Sequence, residues 1–311
     1  MRRLKGINMD KTNAAVIGLG SMGFGMAVSL ARKGFDVAGT DVNAEAVQRF
    51  AAHGRAARSI AEAATGAAIL VVVVVNAAQT RTVLFGPEGA ANALPKGAVV
   101  ISSATMSPKD AEALAAEAEA RGLLYLDAPI SGGAQRAAEG ALTVLASGSD
   151  AAFAKAQPAL DAMAQKLYKL GDKPGIGAAF KMVNQLLAGV HIAAACEAIT
   201  FAKRLGLDIG KVYEVITAAA GNSWMFENRV PHILEGDYSP KSAVDIFTKD
   251  LGIVLDMSRD TKFPTPIAGQ AFQMFMMTAA AGMGRDDDAS VARLYAQIAG
   301  LDLPSSIKSN G

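Results

Sequence analysis

The stretch that most constrains this chain is a short apolar run from Ala14 that enters Gly18-Leu19-Gly20-Ser21-Met22-Gly23. A helical pattern follows over Met22–Lys33, Gly34 ends it, and Phe35–Gly39 reads as a second strand with Asp41 just beyond. Strand, glycine turn, helix and second strand in that order form the setting in which glycines at this spacing hold a dinucleotide. Gly18 allows the tight turn, Gly20 lets the backbone approach a pyrophosphate, and Gly23 lets helix and strand pack closely. The helix start adds N–H groups and a favourable dipole for the anion. Asp41 can accept both ribose hydroxyls of NAD and would repel the extra phosphate of NADP. The same carboxylate also suits a helix N-cap, although Asn43 is better placed for that role.

Further strands continue the pattern. Ile69–Val75 is apolar on both faces, as a central parallel strand is. Ligands in open α/β sheets sit beyond the carboxyl ends of strands, so Val75 and Asn76 should lie near the cofactor. Ala98–Ser102 is the next strand, and Ser103-Ala104-Thr105 follows it before a helix over Lys109–Arg121 with Pro108 at its start. Ser103 and Thr105 suit the nicotinamide end, and they equally suit ordinary turn and cap chemistry. Leu123–Asp127 leads into Ala128-Pro129-Ile130-Ser131-Gly132-Gly133, where glycines and a serine hydroxyl make a natural carboxylate nest. Ala141–Ser147, a helix over Ala151–Gln165 and a short strand at Leu167–Leu170 complete this part.

After Gly177 the strand pattern stops. Lys181–Arg204, Lys211–Ala220, Val244–Thr261, Ile267–Ala281 and Ala289–Ala299 all read as helices. Lys181, Asn184 and Gln185 share one helix face at i, i+3 and i+4. That face can offer an ammonium and two amides to a small polyhydroxylated molecule, with desolvation lowering the lysine pKa into a useful range. A surface lysine lying along an amphipathic core helix is the alternative. Gly221–Arg229, which holds the only tryptophan, breaks the helical run and reads as a pocket wall or an aromatic core plug. Arg285–Asp288 reads as a solvated turn and cap. The methionines at 274, 276, 277 and 283 read as packing residues.

Composition narrows the function classes. Of 311 residues, 51% are hydrophobic, enough for a large core in roughly two domains. A net charge of +1 argues against general attraction to nucleic acid or a membrane surface. The single cysteine, Cys196, excludes an intrachain disulfide and suits a reducing cytoplasm. The three histidines have no metal-ligand spacing, so no metal is expected. The longest strand-like apolar run is far too short to span a bilayer. Met1–Asn8 is basic with no apolar run behind it, so it reads as a poorly ordered extension and not a secretory signal.

Taken together, the motifs resemble the β-hydroxyacid dehydrogenase family, which includes 3-hydroxyisobutyrate and 6-phosphogluconate dehydrogenases. The resemblance runs from about Asn13 to the C-terminus. It rests on GLGSMG at 18–23, Asp127-Ala-Pro-Ile-Ser131-Gly-Gly133, the GxxxK of Gly177–Lys181 and the KDL of Lys249–Leu251. A closer likeness to the branch acting on L-threonate rests on Val75–Gln79, QLLAGVHIAAACEA at 185–198, GNSWMFENR at 221–229 and SAVDIFTKDLG at 242–252. It implies an α/β Rossmann-type dinucleotide-binding domain over 1–176 followed by an all-α domain over 177–311.

Residue by residue, the resemblance implies that Gly18, Leu19, Gly20, Ser21, Met22 and Gly23 hold the pyrophosphate and Asp41 the adenosine ribose. Val75, Asn76 and Thr105 would line the cofactor cleft, and Lys249 would reach the cofactor from the helical domain. Ser131, Gly132 and Gly133 would bind the substrate carboxylate. Lys181 would be the general acid–base and Asn184 would contact the substrate hydroxyl. Gln185 would join the substrate site where most of the family has Asn. The implied reaction is NAD-dependent oxidation of a short hydroxyacid, L-threonate to its 2-oxo form, by a homodimer or homotetramer. Alternatives are a 3-hydroxyisobutyrate or tartronate semialdehyde activity, or an inactive dinucleotide-binding scaffold.

Overall fold

The computed structural model describes residues 12–305. The expectation for Met1–Asn8 lies outside the described residues. The chain divides into two compact units, one ending at Lys181 and one beginning at Met182.

The first unit is a sheet flanked by helices. Its strands are β1 (Asn13–Ile17), β2 (Asp36–Thr40), β3 (Arg55–Ala56), β4 (Ile69–Val72), β5 (Val99–Ser102), β6 (Leu124–Asp127), β7 (Ile130–Ser131), β8 (Leu142–Ser147) and β9 (Ala164–Gly171). The first six run parallel in the order β3-β2-β1-β4-β5-β6. β8 joins antiparallel to β6, and β9 pairs parallel with β8. The order reverses between β1 and β4, and a ligand crevice opens at that switch point, beyond the carboxyl ends of the strands. The helices are α1 (Gly23–Arg32), α2 (Ala44–Phe50), α3 (Ile60–Ala64), α4 (Ala77–Phe85), α5 (Pro108–Ala120), α6 (Gly133–Glu139), α7 (Asp150–Met163) and the start of α8 (Ile176–Arg204).

Successive strand residues feed opposite cores. Ala14 and Val16 pack with Leu30 and Phe50 on one face, while Ala15 and Ile17 pack with Leu70 and Leu114 on the other. This is the period-2 alternation of a strand buried on both sides. β4 ends at Val72, three residues before its valine run does. Asn76 accepts from the Gln79 amide, and Gln79 Oε1 accepts from the Val75 amide at 2.9 Å. This reciprocal cap draws the chain out of the sheet, as a capping box does.

The second unit holds the rest of α8, with α9 (Ile209–Thr217), α10 (Trp224–Glu235), α11 (Val244–Thr261), α12 (Pro266–Thr278) and α13 (Val291–Ala299). Its core gathers Ile192, Cys196, Phe247, Leu251 and Phe275. The α/β unit followed by a helical one is the expected order of classes. α8 is long and apolar enough to cross a membrane by length and composition alone, yet half of its most apolar window is buried inside the protein.

Two local readings change. The stretch at 221–229 does not stay irregular: Ser223 caps α10, which starts at Trp224, exposing the indole and burying Met225 and Phe226. The acidic turn is solvated only in its first half, with Arg285 exposed and Asp286 half-buried. Asp287 does cap the Ala289 amide, but Asp287 and Asp288 are both fully buried. His232 Nδ1 lies 2.8 Å from Asp287 Oδ1, and Arg229 Nε donates to Asp288 Oδ1 at 2.6 Å. Burial opposes ionisation of Asp287, but the His232 hydrogen bond and charge prevail and hold its carboxyl below the usual range.

Candidate active site

Gly18 turns the chain out of β1 at φ +98°, and a Cβ there would lie 2.1 Å from the Val73 carbonyl oxygen. No other residue fits that turn. A Cβ on Gly20 would meet nothing within 4 Å. The open side of Gly20 borders a cavity of about 300 Å³ lined by Leu19, Ser21, Asn43 and Arg49 among others. α1 then begins behind Met22 with no side-chain cap. By contrast Asn43, Ser59, Asn76, Ser107 and Ser149 each cap their own helix in this unit. The first amides of α1 thus lack a side-chain acceptor at the site where an anion is favoured. Asp41 accepts from the Leu19 amide at 2.5 Å and the Asn43 amide at 2.7 Å. A carboxylate has about four acceptor positions, so its remaining ones suit ribose hydroxyls. An uncapped helix start, an open glycine edge and a fixed carboxylate fit a dinucleotide.

Beyond β4, Val75 is 46% exposed, unusual for a valine that continues a buried run. Asn76 caps α4 with its side-chain oxygen. Beyond β5, Ser103 is buried with a hydroxyl that has no partner among the described residues, and Thr105 is half-buried. An orphaned buried hydroxyl at a strand's carboxyl end fits a polar ligand group there.

The start of α8 is anchored from the sheet. Asp127 Oδ2 accepts from the amides of Gly175 at 2.9 Å and Ala178 at 2.8 Å, and from the Ser147 hydroxyl at 3.3 Å. Burial pushes this carboxyl up to about 6, although those three donors favour its ionised form. A Cβ on Gly177 would fall 2.4 Å from the Leu145 carbonyl oxygen, so the helix reaches this close to β8 only with glycine there. One turn on, Lys181 is 7% exposed and its Nζ donates to the Ile130 carbonyl at 2.8 Å. Ile130 immediately precedes Ser131, Gly132 and Gly133. The lysine is therefore bonded to the strand that runs into the predicted nest, and Gly132 precedes α6 at φ +135° with no side-chain cap.

The remaining predicted residues lie in the second unit. Asn184 Nδ2 donates to Gln185 Oε1 at 2.9 Å, and buried Gln185 donates from Nε2 to Asp250 Oδ2 at 2.5 Å. Lys249 forms an ion pair with Asp250 through its other oxygen. Asn184, Gln185 and Lys249 thus belong to one polar chain centred on Asp250, which the KDL motif contains without giving it a role. Arg49, to which the sequence assigns nothing, lines the cavity beside Gly20, its guanidinium 4.8 Å from the centre of the Phe24 ring. Its six-residue offset from Asn43 on a short helix carries no motif. Among the described residues no group of three or more His, Cys, Asp or Glu is placed to hold a metal ion.

Comparison with known proteins shows the family and the fold. Residues 13–171 match the family described as the NAD binding domain of 6-phosphogluconate dehydrogenase. Residues 175–295 match the one described as NAD-binding of NADP-dependent 3-hydroxyisobutyrate dehydrogenase. The chain is 53% identical over 293 residues to L-threonate dehydrogenase of Cupriavidus necator, covering 94% of this chain and 98% of that one. It is 47% identical over 296 residues to L-threonate dehydrogenase of Haemophilus influenzae, covering 94% and 97%. Among solved structures, one named as 3-hydroxyisobutyrate dehydrogenase from Salmonella typhimurium superposes with a TM-score of 0.87 at 49% identity, covering 90% of this chain and 99% of that one.

Proposed function

The chain belongs to the β-hydroxyacid dehydrogenase family and is a dehydrogenase of a hydroxyacid, and from that premise we propose that it oxidises L-threonate to the 2-oxo acid with NAD. The observation that carries the reading is the bond from buried Lys181 to the carbonyl of Ile130, the residue before the nest. In this reading Ser131, Gly132 and Gly133 grip the substrate carboxylate. A carboxylate held on that strand sets its neighbouring hydroxyl near the lysine bonded to the same strand.

Lys181 begins neutral and takes the hydroxyl proton. When bound, the dinucleotide supplies the hydride acceptor. Its pyrophosphate is assigned to the loop from Gly18 to Gly23, its adenosine ribose to Asp41, and its flanks to Val75, Asn76 and Thr105. Lys249 is assigned to the cofactor and Asn184 to a substrate hydroxyl. Asp41 favours NAD, since a second negative group beside it would be repelled. The names carried by the relatives at 53% and 47% identity support threonate.

A second reading, 3-hydroxyisobutyrate, is favoured by the name that the Salmonella structure carries at 49% identity. Steady-state kinetics on L-threonate, D-threonate, D-erythronate, 3-hydroxyisobutyrate and D-glycerate decide between them. L-threonate should give the highest kcat/KM; a tenfold advantage for 3-hydroxyisobutyrate or glycerate overturns the threonate assignment and leaves the lysine mechanism standing. The same reading places the enzyme in the cytoplasm as a homodimer or homotetramer, which light scattering on the purified protein measures.

A further inference from the structure

Within the second unit, one buried amide joins α8 to α11. Both ends of Gln185 are engaged, Nε2 donating to Asp250 Oδ2 and Oε1 accepting from Asn184 Nδ2. Asp250 is 1% exposed and receives Lys249 on its second oxygen. An ionised carboxylate only accepts hydrogen bonds. The Gln185 amide therefore has one orientation, with its NH2 toward Asp250 and its oxygen toward Asn184. That oxygen in turn requires the NH2 of Asn184. The polarity of a buried charge is passed outward through Gln185 to the exposed amide of Asn184. The carbonyl oxygen and the second amide hydrogen of Asn184 are then the groups that Gln185 does not engage.

We propose that Gln185 is a positioning residue that holds the Asn184 amide in a single orientation toward the hydroxyls of the substrate. The inference rests on the assignment of Asn184 to the substrate made above, and it moves Gln185 from a substrate contact to the support of one. The charged groups that the structure places against the amide are Asp250 and, through it, Lys249.

The test uses Gln185→Leu, Gln185→Glu, Asn184→Ala and the Asn184→Ala/Gln185→Leu pair in the full chain, with melting temperature and NADH affinity followed alongside kinetics. Gln185→Leu should raise KM for the hydroxyacid about tenfold, the scale of one lost strong hydrogen bond. The double variant should be no worse than Asn184→Ala alone, because residues acting through one contact are not additive. Gln185→Glu adds a distinct signature. Protonated, it can donate to Asp250 and accept from Asn184 as glutamine does; ionised, it sets two carboxylates face to face. Its kcat/KM should fall relative to wild type as pH rises, with a midpoint above the ordinary glutamate value because of the facing charge.

Additive losses in the double variant would make Gln185 an independent contact and overturn the inference. So would a Gln185→Leu KM within twofold of wild type while Asn184→Ala is impaired. If Asn184→Ala itself is silent, the assignment of Asn184 fails, and this inference with it. Should Gln185→Leu not fold, the pH profile of Gln185→Glu decides: a profile parallel to wild type refutes the proposal.

Discussion

Replacing Asp127 by Asn tests how the helix carrying Lys181 is held. All three donors to Asp127, the amides of Gly175 and Ala178 and the Ser147 hydroxyl, converge on Oδ2. An asparagine oxygen can take the same place, so the helix start keeps its partners. What changes is the charge. Burial raises the Asp127 carboxyl from 3.8 to about 6. For a group raised in the fold, the stabilising share is complete below the unfolded value and is lost as pH climbs through the folded one. At about 1.4 kcal/mol per pKa unit, ionising Asp127 inside the protein costs about 3 kcal/mol. Asparagine has no proton to lose. The stability of Asp127→Asn relative to wild type should therefore improve by about 2.4 kcal/mol between about pH 4 and about pH 8. Urea unfolding of both proteins at the two pH values measures this. A difference that does not change with pH, or that moves against asparagine, would mean the three donors outweigh burial. Asp127→Ala should behave otherwise at every pH. It strands two buried amides at about 1–3 kcal/mol each, so it should be destabilised by about 2–6 kcal/mol.

Cofactor choice should follow Asp41: the Asp41→Ser/Val42→Arg pair should shift preference toward NADP, and a wild-type enzyme that uses NADP better than NAD would refute the role of the carboxylate. Gly20→Val should fold normally, since its side chain enters space the protein leaves open, yet abolish NADH binding measured by fluorescence. Lys181→Ala should keep that binding and lose about 10²–10⁴-fold in turnover; equal loss of NADH affinity would mark a structural lysine. Ser131→Ala should mainly raise KM for the hydroxyacid. Gly132→Ala should be worse, because φ is +135° and the new Cβ would lie 2.9 Å from Arg136 Cδ. A Gly132→Ala enzyme with wild-type KM would remove the nest from the substrate site.

How far the sequence could be read depended on how local each cause was. The cap at Asn43 is answered within three residues, and the turn at Gly18 was legible from the glycine spacing even though the space its missing Cβ leaves is taken by Val73, 55 residues on. The bounds of α11 were legible as well, because an apolar stripe and Phe263-Pro264 beyond it are local signals. The true start of α8 was not. It lies five residues before Lys181, and its amides are capped by Asp127 from 48 and 51 residues away. Asp287 and Asp288, in the turn read as solvated at 285–288, are buried because Arg229 and His232 from α10 meet them, which no local pattern announces.

Gln185 shows why a helical face is only half of a site. Its i+4 spacing from Lys181 put it among the substrate residues, and that spacing is real. Spacing fixes where a side chain leaves the helix and says nothing about what it will meet. Here it meets Asp250, 65 residues on, and a hydrogen bond to a charged acceptor is of the stronger kind, which is the ground for the positioning role proposed above. Glutamine at 185 carries a donor that meets Asp250 on α11 and an acceptor that meets Asn184 one residue away. The face of α8 supplies the position of the amide, and the pairing of α8 with α11 supplies the carboxylate it meets.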